Sequence, residues 1–295
     1  MKILYKILNR LKVLKFFNVD LKISAKNKKF HIPIIQGIGI TNINHKESWF
    51  TDILFRFNDY YKNITFLDIG ANIGQTLLNV KTVNPEWKYL GFEPNSTCLF
   101  YLKKLIRKNN FQNVKLFPVA ISSSLSILEL NSLNEVDSSA TIVDEFRGNY
   151  YKNGYKEIVI GLDINKILVP NFNKEINYLI KIDIEGAELQ AISGMIKFLN
   201  LSRAFIICEV LDTHSEETIN NHKERLEKLE LLLKENKYNI YQILRNERTI
   251  FSLKFIENFE VKIWSSESTL LNDFLFVPIE KETILTNFYK IDNHI

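Results

Sequence analysis

Four charged side chains fall within a segment whose apolar pattern otherwise predicts a buried strand, NYLIKIDIEGAELQAISGM at residues 177–195. Alternation along that strand predicts that Lys181, Asp183 and Glu185 share one face, opposite three isoleucines. Charges are costly to bury without partners, so these are expected to pair with one another or with a substrate. The fourth, Glu188, is predicted to begin the next helix, where an acidic group is favoured for local reasons.

A carboxylate at this strand end has the chemistry of a general base, which removes the proton of a hydroxyl group as that group attacks. We rank Asp183 first for this role and Glu185 second, with Lys181 orienting the acceptor. Glu209, which ends a later strand, and His214, in the loop after it, follow them, although a solvent-exposed loop position is the simpler interpretation of His214. An ion network that only ties loops together is the alternative to catalysis.

Metal binding is left unassigned by the sequence. Asp183, Glu185 and Glu209 would together suit Mg²⁺, which prefers oxygen ligands, but sequence does not show whether they converge. Cys98 and Cys208 have neither a CxxC spacing nor clustered histidines around them, which argues against a disulfide framework or a structural zinc site. This cysteine usage favours a reducing, cytoplasmic compartment.

A second motif, FLDIGANIGQ at residues 66–75, places Asp68 at a strand end and Gly70 and Gly74 in the turn that follows. In an open parallel sheet, ligands bind beyond the carboxyl ends of the strands. Asn72 stands where a dinucleotide-binding G-x-G-x-x-G turn has its second glycine, which argues against NAD. An acidic strand end also suits a ligand with an ammonium group better than one with phosphates.

Glu93 ends the next predicted strand, LGFEP, about 20 residues after the glycine turn. An acidic residue at this distance can accept hydrogen bonds from both hydroxyls of a ribose. NAD and S-adenosylmethionine both contain that ribose, so Glu93 alone does not choose between them.

The elements around these motifs alternate from residue 64 onward, with short apolar runs followed by segments of helical spacing. Such alternation predicts an α/β fold, a mostly parallel sheet with helices on both faces. The end of the chain breaks the pattern, because KYNIYQILR and NDFLFVPIE are separated only by the loop-like residues 246–271. We predict that these two strands add an antiparallel pair at the sheet edge. Seven strands in this layout are typical of the Rossmann-like class I methyltransferase fold.

Residues 1–60 are predicted to form a small extension of a helix, a β-hairpin and a second helix, before a domain at residues 61–295. Residues 1–17 have the pattern of a basic amphipathic helix. Such a helix can lie on the inner face of an anionic membrane; packing on the domain or on a second subunit is the simpler alternative. The oligomeric state is not readable from the sequence.

The composition is that of an ordinary globular protein, with 295 residues of which 46% are hydrophobic and 24% charged. A net charge of +4 is too small to indicate nucleic-acid binding by itself. No apolar run approaches the ~20 residues that a membrane-spanning helix needs.

FLDIGANIGQ, GFEPN and IKIDIEGAE, in this order and spacing, resemble the FkbM family of S-adenosylmethionine-dependent methyltransferases over residues 62–212. The resemblance implies O-methylation of hydroxyl groups on sugars, glycan or glycolipid precursors or polyketide-type metabolites, as in polysaccharide biosynthesis. It departs at Gly161, where the family tends to have threonine, which bears on the lid over the acceptor site. Carried onto this chain, the family's site consists of a cofactor wall, Asp68, Gly70, Ala71, Asn72, Gly74, Glu93, Pro94, Val119 and Ala120, and an acceptor side, Lys181, Asp183 and Glu185.

Two alternatives to methyl transfer follow from the same motifs. A dehydrogenase would need NAD, which the missing glycine disfavours. A non-catalytic binding module would keep the glycine turn but would not need the charged strand end. The tyrosine-rich residues 145–157 would form a lid that stacks on a sugar acceptor, or an ordinary surface insertion.

Overall fold

The computed structural model describes residues 18–44, 48–143, 146 and 148–292. The predicted amphipathic helix at residues 1–17 lies outside this range. Among the described residues, no helix is long and apolar enough to cross a membrane.

Strands and helices alternate through most of the chain. In chain order the strands are β1 (Asn18–Ala25), β2 (Lys28–Ile35), β3 (Ile64–Ile69), β4 (Lys88–Phe92), β5 (Val114–Phe117), β6 (Ala120–Ile121), β7 (Ser126–Ser132), β8 (Tyr155–Leu162), β9 (Asn177–Ile182), β10 (Phe205–Glu209), β11 (Tyr238–Arg245), β12 (Ile250–Ile256), β13 (Asp273–Pro278) and β14 (Lys290–Asp292). The helices are α1 (Ile40–Asn44), α2 (Ser48–Tyr60), α3 (Gln75–Val83), α4 (Ser96–Asn109), α5 (Asn165–Leu168), α6 (Glu188–Ser193), α7 (Ile196–Ser202), α8 (Ile219–Glu235) and α9 (Glu282–Thr286).

In the part of the chain that the structure describes, the central sheet has nine strands in the order β14-β12-β11-β13-β10-β9-β3-β4-β5. The five strands from β10 to β5 are parallel neighbours. Side chains alternate along them, so that Phe66 packs in the hydrophobic cluster of one face and Leu67 in that of the other. The seven strands from β11 to β5 confirm the predicted class I methyltransferase-like α/β fold.

The end of the sheet differs from the prediction in two ways. Strand β13 does not lie at the edge: it runs antiparallel between β10 and β11 and is buried along its whole length. Its sequence, DFLFVP, is apolar at most positions because both of its faces are covered. The segment 246–271, predicted as a loop, contains β12, which pairs with β11 and then with β14 and so extends the sheet by two strands.

A second sheet, with the order β6-β8-β7, stands beside the carboxyl ends of the central strands. The sequence predicts one strand over NVKLFPVAI, but the structure has two, β5 in the central sheet and β6 paired with β8. The smaller sheet covers part of the site described below. Part of the tyrosine-rich residues 145–157 is outside the described range, and its last residues begin β8.

The β1–β2 hairpin and α2 share the core of the central sheet. Residues of β2, such as Ile32 and Ile34, pack in the same cluster as Tyr101 of α4, whose hydroxyl donates to the carbonyl of Pro33 at 2.9 Å. Residues 18–60 thus contain an antiparallel hairpin and the helix α2, whereas the predicted division into an extension and a domain after residue 60 stays a prediction.

The helix predicted over AELQAISGMIKFL is divided into α6 and α7 at Gly194 and Met195. The break coincides with a close approach, because a Cβ built on Gly194 would lie 1.9 Å from the carbonyl oxygen of Ser122. A side chain there has to displace backbone rather than a flexible side chain.

We expect Gly194→Ala to lower the free energy of unfolding by about 1–3 kcal/mol, the usual cost of overpacking a filled interior. Urea denaturation of the full chain measures this. Ser193→Ala is the matched control and is expected to change stability by less than about 0.5 kcal/mol, as substitutions away from such contacts do. Equal stabilities of the two variants would contradict the role assigned to the Ser122 contact.

Candidate functional site

A cavity of about 340 Å³ opens at the carboxyl ends of β3, β4, β9 and β10. This volume lies in the range of small-molecule sites. Ten of the twelve residues predicted from the sequence line it, namely Gly70, Ala71, Asn72, Glu93, Pro94, Val119, Ala120, Lys181, Asp183 and Glu185. The two motifs therefore meet in one cavity.

The glycine turn is held against the strand that carries the charged residues. Gly70 has a φ of 90°, and a Cβ there would lie 2.0 Å from the carbonyl oxygen of Asp183. The amides of Gly70 and Ala71 both donate to the carbonyl of Phe92, at 3.0 and 3.1 Å. Glycine is thus required here for the contact between turn and strand, in addition to any approach of a ligand.

Asp68 and Gly74, the remaining two predicted residues, lie outside the set that lines the cavity. The Asp68 side chain is fully buried and accepts a hydrogen bond from the hydroxyl of Tyr89. Gly74 faces α4, where a Cβ would lie 2.8 Å from Leu102 and 2.9 Å from Leu105. Both residues therefore support the turn from beneath, and their predicted contact with a ligand stays a prediction.

Glu93 is positioned by the backbone of two neighbouring segments. One carboxyl oxygen, Oε2, accepts from the amide of Asn72 at 2.6 Å, and the other, Oε1, accepts from the amide of Asn95 at 2.9 Å. Burial raises the pKa of Glu93 to about 7, against the lowering effect of these two hydrogen bonds. Each carboxyl oxygen can accept more than one hydrogen bond, so this side chain can still receive a pair of hydroxyl groups.

The sequence predicts only some of the residues that line the cavity between the central sheet and the small sheet. Val119 and Ala120 line the cavity as expected, and Leu130 of β7 joins them. The loop after β7 contributes further lining residues that the sequence did not single out, Asp137, Ser138, Ala140 and Ile142. This loop has no chemical motif of its own, and only its place beside the β4 and β9 ends makes it part of the site.

At the other end of the cavity, the Nζ atom of Lys181 lies 2.6 Å from Oδ2 of Asp183. The Lys181 side chain is 12% exposed and that of Asp183 34%, so the carboxylate is the more accessible member of the pair. Strand β9 ends at Ile182, and the predicted alternation ends with it. Ile184 also lines the cavity, and Glu185 adopts a left-handed φ of 54°.

Glu209 lies beside Asp183 because β9 and β10 are parallel neighbours whose carboxyl ends coincide. Burial alone would raise the pKa of Asp183, but the Lys181 ammonium and a hydrogen bond from Glu209 bring it below its usual range. Burial and the charge of Asp183 raise the pKa of Glu209 well above its usual range. Of the two carboxyl groups, Asp183 is therefore the one that ionises first, and Glu209 is the one that retains its proton longer as pH rises.

The remaining candidates lie outside the cavity lining. Glu188 is buried and its Oε1 accepts from the amide of Gly186 at 2.8 Å, the local role that the sequence suggests. His214 is half-buried between the rings of Phe146 and Trp264, and the solvent-exposed position predicted for it is wrong. Among the residues that the structure describes, no group of three or more His, Cys, Asp or Glu side chains could hold a metal ion.

The comparison with known proteins identifies the region of the chain that contains these motifs. A family profile described as "Methyltransferase FkbM domain" matches residues 68–240. The chain is 25% identical over 170 residues to "Methyltransferase sdnD" of Sordaria araneosa, which covers 50% of this chain and 66% of that protein. It is 24% identical over 166 residues to "Methyltransferase 1" of Beauveria bassiana, covering 51% and 66%. The chain thus spans just under two thirds of the length of these curated relatives.

Among solved structures, the chain is similar to "Methyltransferase FkbM" from Methylobacillus flagellatus KT. The TM-score is 0.47 and the sequence identity 14%, over 79% of this chain and 49% of the other. At this level of similarity, nothing about the site is carried over.

Proposed function

Because the chain belongs to the FkbM methyltransferase family, we propose that it transfers a methyl group from S-adenosylmethionine to a hydroxyl group of a sugar or a related metabolite. The observation that carries this proposal is the single cavity with Glu93 on one wall and the Asp183–Glu209 pair on the other. Glu93 can accept hydrogen bonds from the hydroxyl groups of a ribose, and Asp183 can accept the proton of an acceptor hydroxyl. The two motifs lie far apart along the chain, and the parallel order of the strands brings them together at one edge of the sheet.

The residues of the turn fit S-adenosylmethionine better than NAD. In a phosphate-binding turn, backbone amides point at the pyrophosphate. Here the amide of Asn72 donates to Glu93 instead. The cavity wall at this point presents a carboxylate, which would receive the ribose hydroxyls, while Asn72 and Ala71 flank the remainder of the cofactor. Because the amide of Asn72 is already engaged by Glu93, it is not available to the pyrophosphate of a dinucleotide.

S-adenosylmethionine, when bound, supplies a methyl group on a positively charged sulfur, which is displaced in line by the attacking oxygen. Catalysis then depends largely on how the chain positions the acceptor. As the new carbon–oxygen bond forms, the acceptor hydroxyl becomes strongly acidic and its proton passes to Oδ2 or Oδ1 of Asp183. A carboxylate of low pKa suffices for this, because the proton donor is far more acidic at that moment. Lys181 keeps Asp183 ionised and oriented.

Titration calorimetry of the purified protein with S-adenosylmethionine and, separately, with NAD tests the cofactor. We expect binding of S-adenosylmethionine alone, and Glu93→Ala should weaken it at least tenfold because two hydrogen bonds to a charged group are lost. Glu157→Gln, which alters a carboxylate outside the cavity lining, is the control. Tight binding of NAD, or no response to either ligand, would overturn the proposal.

Cofactor affinity is also expected to depend on pH through Glu93. Its pKa is raised to about 7 by burial, so below that pH the free protein holds a protonated carboxyl that must lose its proton to accept two ribose hydroxyls. Affinity should therefore fall as pH decreases below about 7, approaching tenfold per pH unit, and level off above it. Calorimetry between pH 5.5 and 8.5 measures the slope. In Glu93→Gln the slope should vanish, and a slope that survives would assign it to another group.

A further inference from the structure

A second, smaller cavity of about 60 Å³ lies beyond the end of β10, between α8 and the segment 258–274. It begins at the residue after the first cavity ends: Glu209 lines the first, and Val210 lines the second. The amide of Val210 donates to the carbonyl of Asn272 at 2.8 Å, which fixes the two walls of the small cavity against each other. The site is thus built from ordered backbone next to the proposed acceptor end.

Two buried polar side chains belong to residues that line this cavity, and each has one atom without a hydrogen-bond partner in the described part of the chain. These atoms are the carboxyl oxygen Oδ2 of Asp212, in a residue 7% exposed, and the amide nitrogen Nδ2 of Asn272, in a residue 4% exposed. A buried polar atom without a partner costs about 1–3 kcal/mol. Two of them, one acceptor and one donor, in the same small cavity indicate a ligand that satisfies both.

The chemistry of the two atoms restricts that ligand. A cation would satisfy Asp212 but would leave the amide of Asn272 without an acceptor, and an anion would be repelled by the carboxyl group. A hydroxyl group both donates and accepts. The volume admits a few water-sized groups, which suits hydroxyl groups at the edge of a sugar ring rather than the whole ring.

An aromatic ring stands on the same segment. Trp264 is 46% exposed, and its amide donates to the carbonyl of Thr213, the residue after Asp212, at 2.8 Å. Its ring stacks on His214 with centroids 5.8 Å apart. A large exposed indole fixed through its backbone offers an apolar face, and a sugar ring combines an apolar face with hydroxyl edges.

We propose that Asp212 and Asn272 bind two adjacent hydroxyl groups of the methyl acceptor, which assigns the acceptor to the sugars or similar polyols. This inference deepens the proposed function and rests on it, because only methyl transfer makes the bound polyol an acceptor. The binding of a polyol does not itself depend on methyl transfer. In this arrangement Trp264 packs on the ring whose hydroxyls enter the cavity, and the reacting hydroxyl lies toward Asp183.

Saturation-transfer NMR and calorimetry on the full chain test the site with the methyl glycosides of glucose, galactose, mannose and rhamnose, and with CaCl₂ as a cation probe. At least one glycoside is expected to bind, and Asp212→Asn should raise its Kd about tenfold or more, because a hydrogen bond to a charged group is lost. Glu260→Gln is the matched control, since Glu260 lines the same cavity but is exposed and pairs with Lys262. Its Kd should stay within twofold of the wild type.

Folding is not expected to obscure the result, because Asp212→Asn keeps the side-chain shape and removes a buried carboxyl that lacks a partner at Oδ2; its thermal midpoint should equal or exceed that of the wild type. Asn272→Asp, which removes the donor, provides a second variant. An unchanged Kd in Asp212→Asn, binding of Ca²⁺ without any glycoside, or binding of no probe at all would each overturn the inference, the last by leaving the cavity to water.

The two proposals fail in different ways. In Asp183→Asn, methyl transfer should fall by about 10²–10⁴-fold, whereas the Kd of the glycoside should still depend on Asp212. If the wild type binds a glycoside in an Asp212-dependent way but neither binds S-adenosylmethionine nor transfers a methyl group, the proposed function falls and the polyol site stands. If methyl transfer is intact and insensitive to Asp212→Asn in both kcat and KM, only the polyol site falls.

Discussion

Asp183→Asn is expected to lower the rate of methyl transfer by about 10²–10⁴-fold, the usual contribution of a positioned general base. Asparagine keeps the shape of the side chain but cannot take the proton of the acceptor. Cofactor binding should change little, because Glu93 follows β4, which is two strands away from the β9 end that carries Asp183. Transfer of a radiolabelled methyl group from S-adenosylmethionine to a panel of methyl glycosides measures the rate, and calorimetry measures the binding.

Glu185→Gln is the matched control for this experiment. Glu185 lines the same cavity, but it stands in a left-handed turn beyond the end of β9. We expect its rate to remain within about tenfold of the wild type. The reverse ranking, with Glu185→Gln inactive and Asp183→Asn active, would assign the base to Glu185. If both variants have equal and small effects, the charges at the strand end have only a structural role.

The proton shared by Asp183 and Glu209 gives the site a defined charge. The charge of Asp183 disfavours ionisation of Glu209, and the Lys181 ammonium favours ionisation of Asp183. Because Lys181 contacts Asp183, the negative charge lies on the residue that is accessible from the cavity. Glu209 then donates to Asp183 and fixes its orientation. In the proposed mechanism, Asp183 is therefore the base, and Lys181 and Glu209 support it.

Local patterns in the sequence predicted the elements and most of the cofactor wall. The glycine turn, Glu93 and Lys181 each follow or end a short apolar run, and the parallel order of such strands brings their ends together. Asp68 shows the limit of this reasoning, because a strand-end carboxylate can point under the turn as well as into the cavity. Its contact with Tyr89, 21 residues away, has no local signature.

Features that depend on contacts between distant segments could not be predicted. The sequence ranks Glu209 behind Asp183 and Glu185, because sequence alone does not give the adjacency of β9 and β10 that brings Glu209 beside Asp183. The small sheet of β6, β7 and β8 was missed because β7 and β8 have half-exposed, irregular burial patterns. The insertion of β13 between β10 and β11 is likewise a matter of topology, since an apolar strand can fill any covered position.

Gly70→Ala is expected to push the glycine turn away from the strand end that carries Asp183. The left-handed backbone alone costs about 1–2 kcal/mol for a residue with a side chain. In addition, the new Cβ would lie 2.0 Å from the carbonyl oxygen of Asp183, so the turn or the strand end has to move. A displacement of about 1 Å at a reacting centre can cost about 10²-fold in rate. We therefore expect a methyl-transfer rate lower by at least that factor, measured by the same radiolabel transfer.

Gly74→Ala is the matched control, because it introduces the same backbone strain without a contact to the carbonyl of Asp183. Gly74 has nearly the same φ, 88° against 90°, but its Cβ would meet the flexible ends of Leu102 and Leu105 rather than a carbonyl. Both variants should lose stability in urea denaturation, whereas only Gly70→Ala should lose methyl transfer out of proportion to that loss. If the two variants lose activity equally, the contact between the turn and Asp183 does not hold the site together, and left-handed strain alone accounts for the glycines.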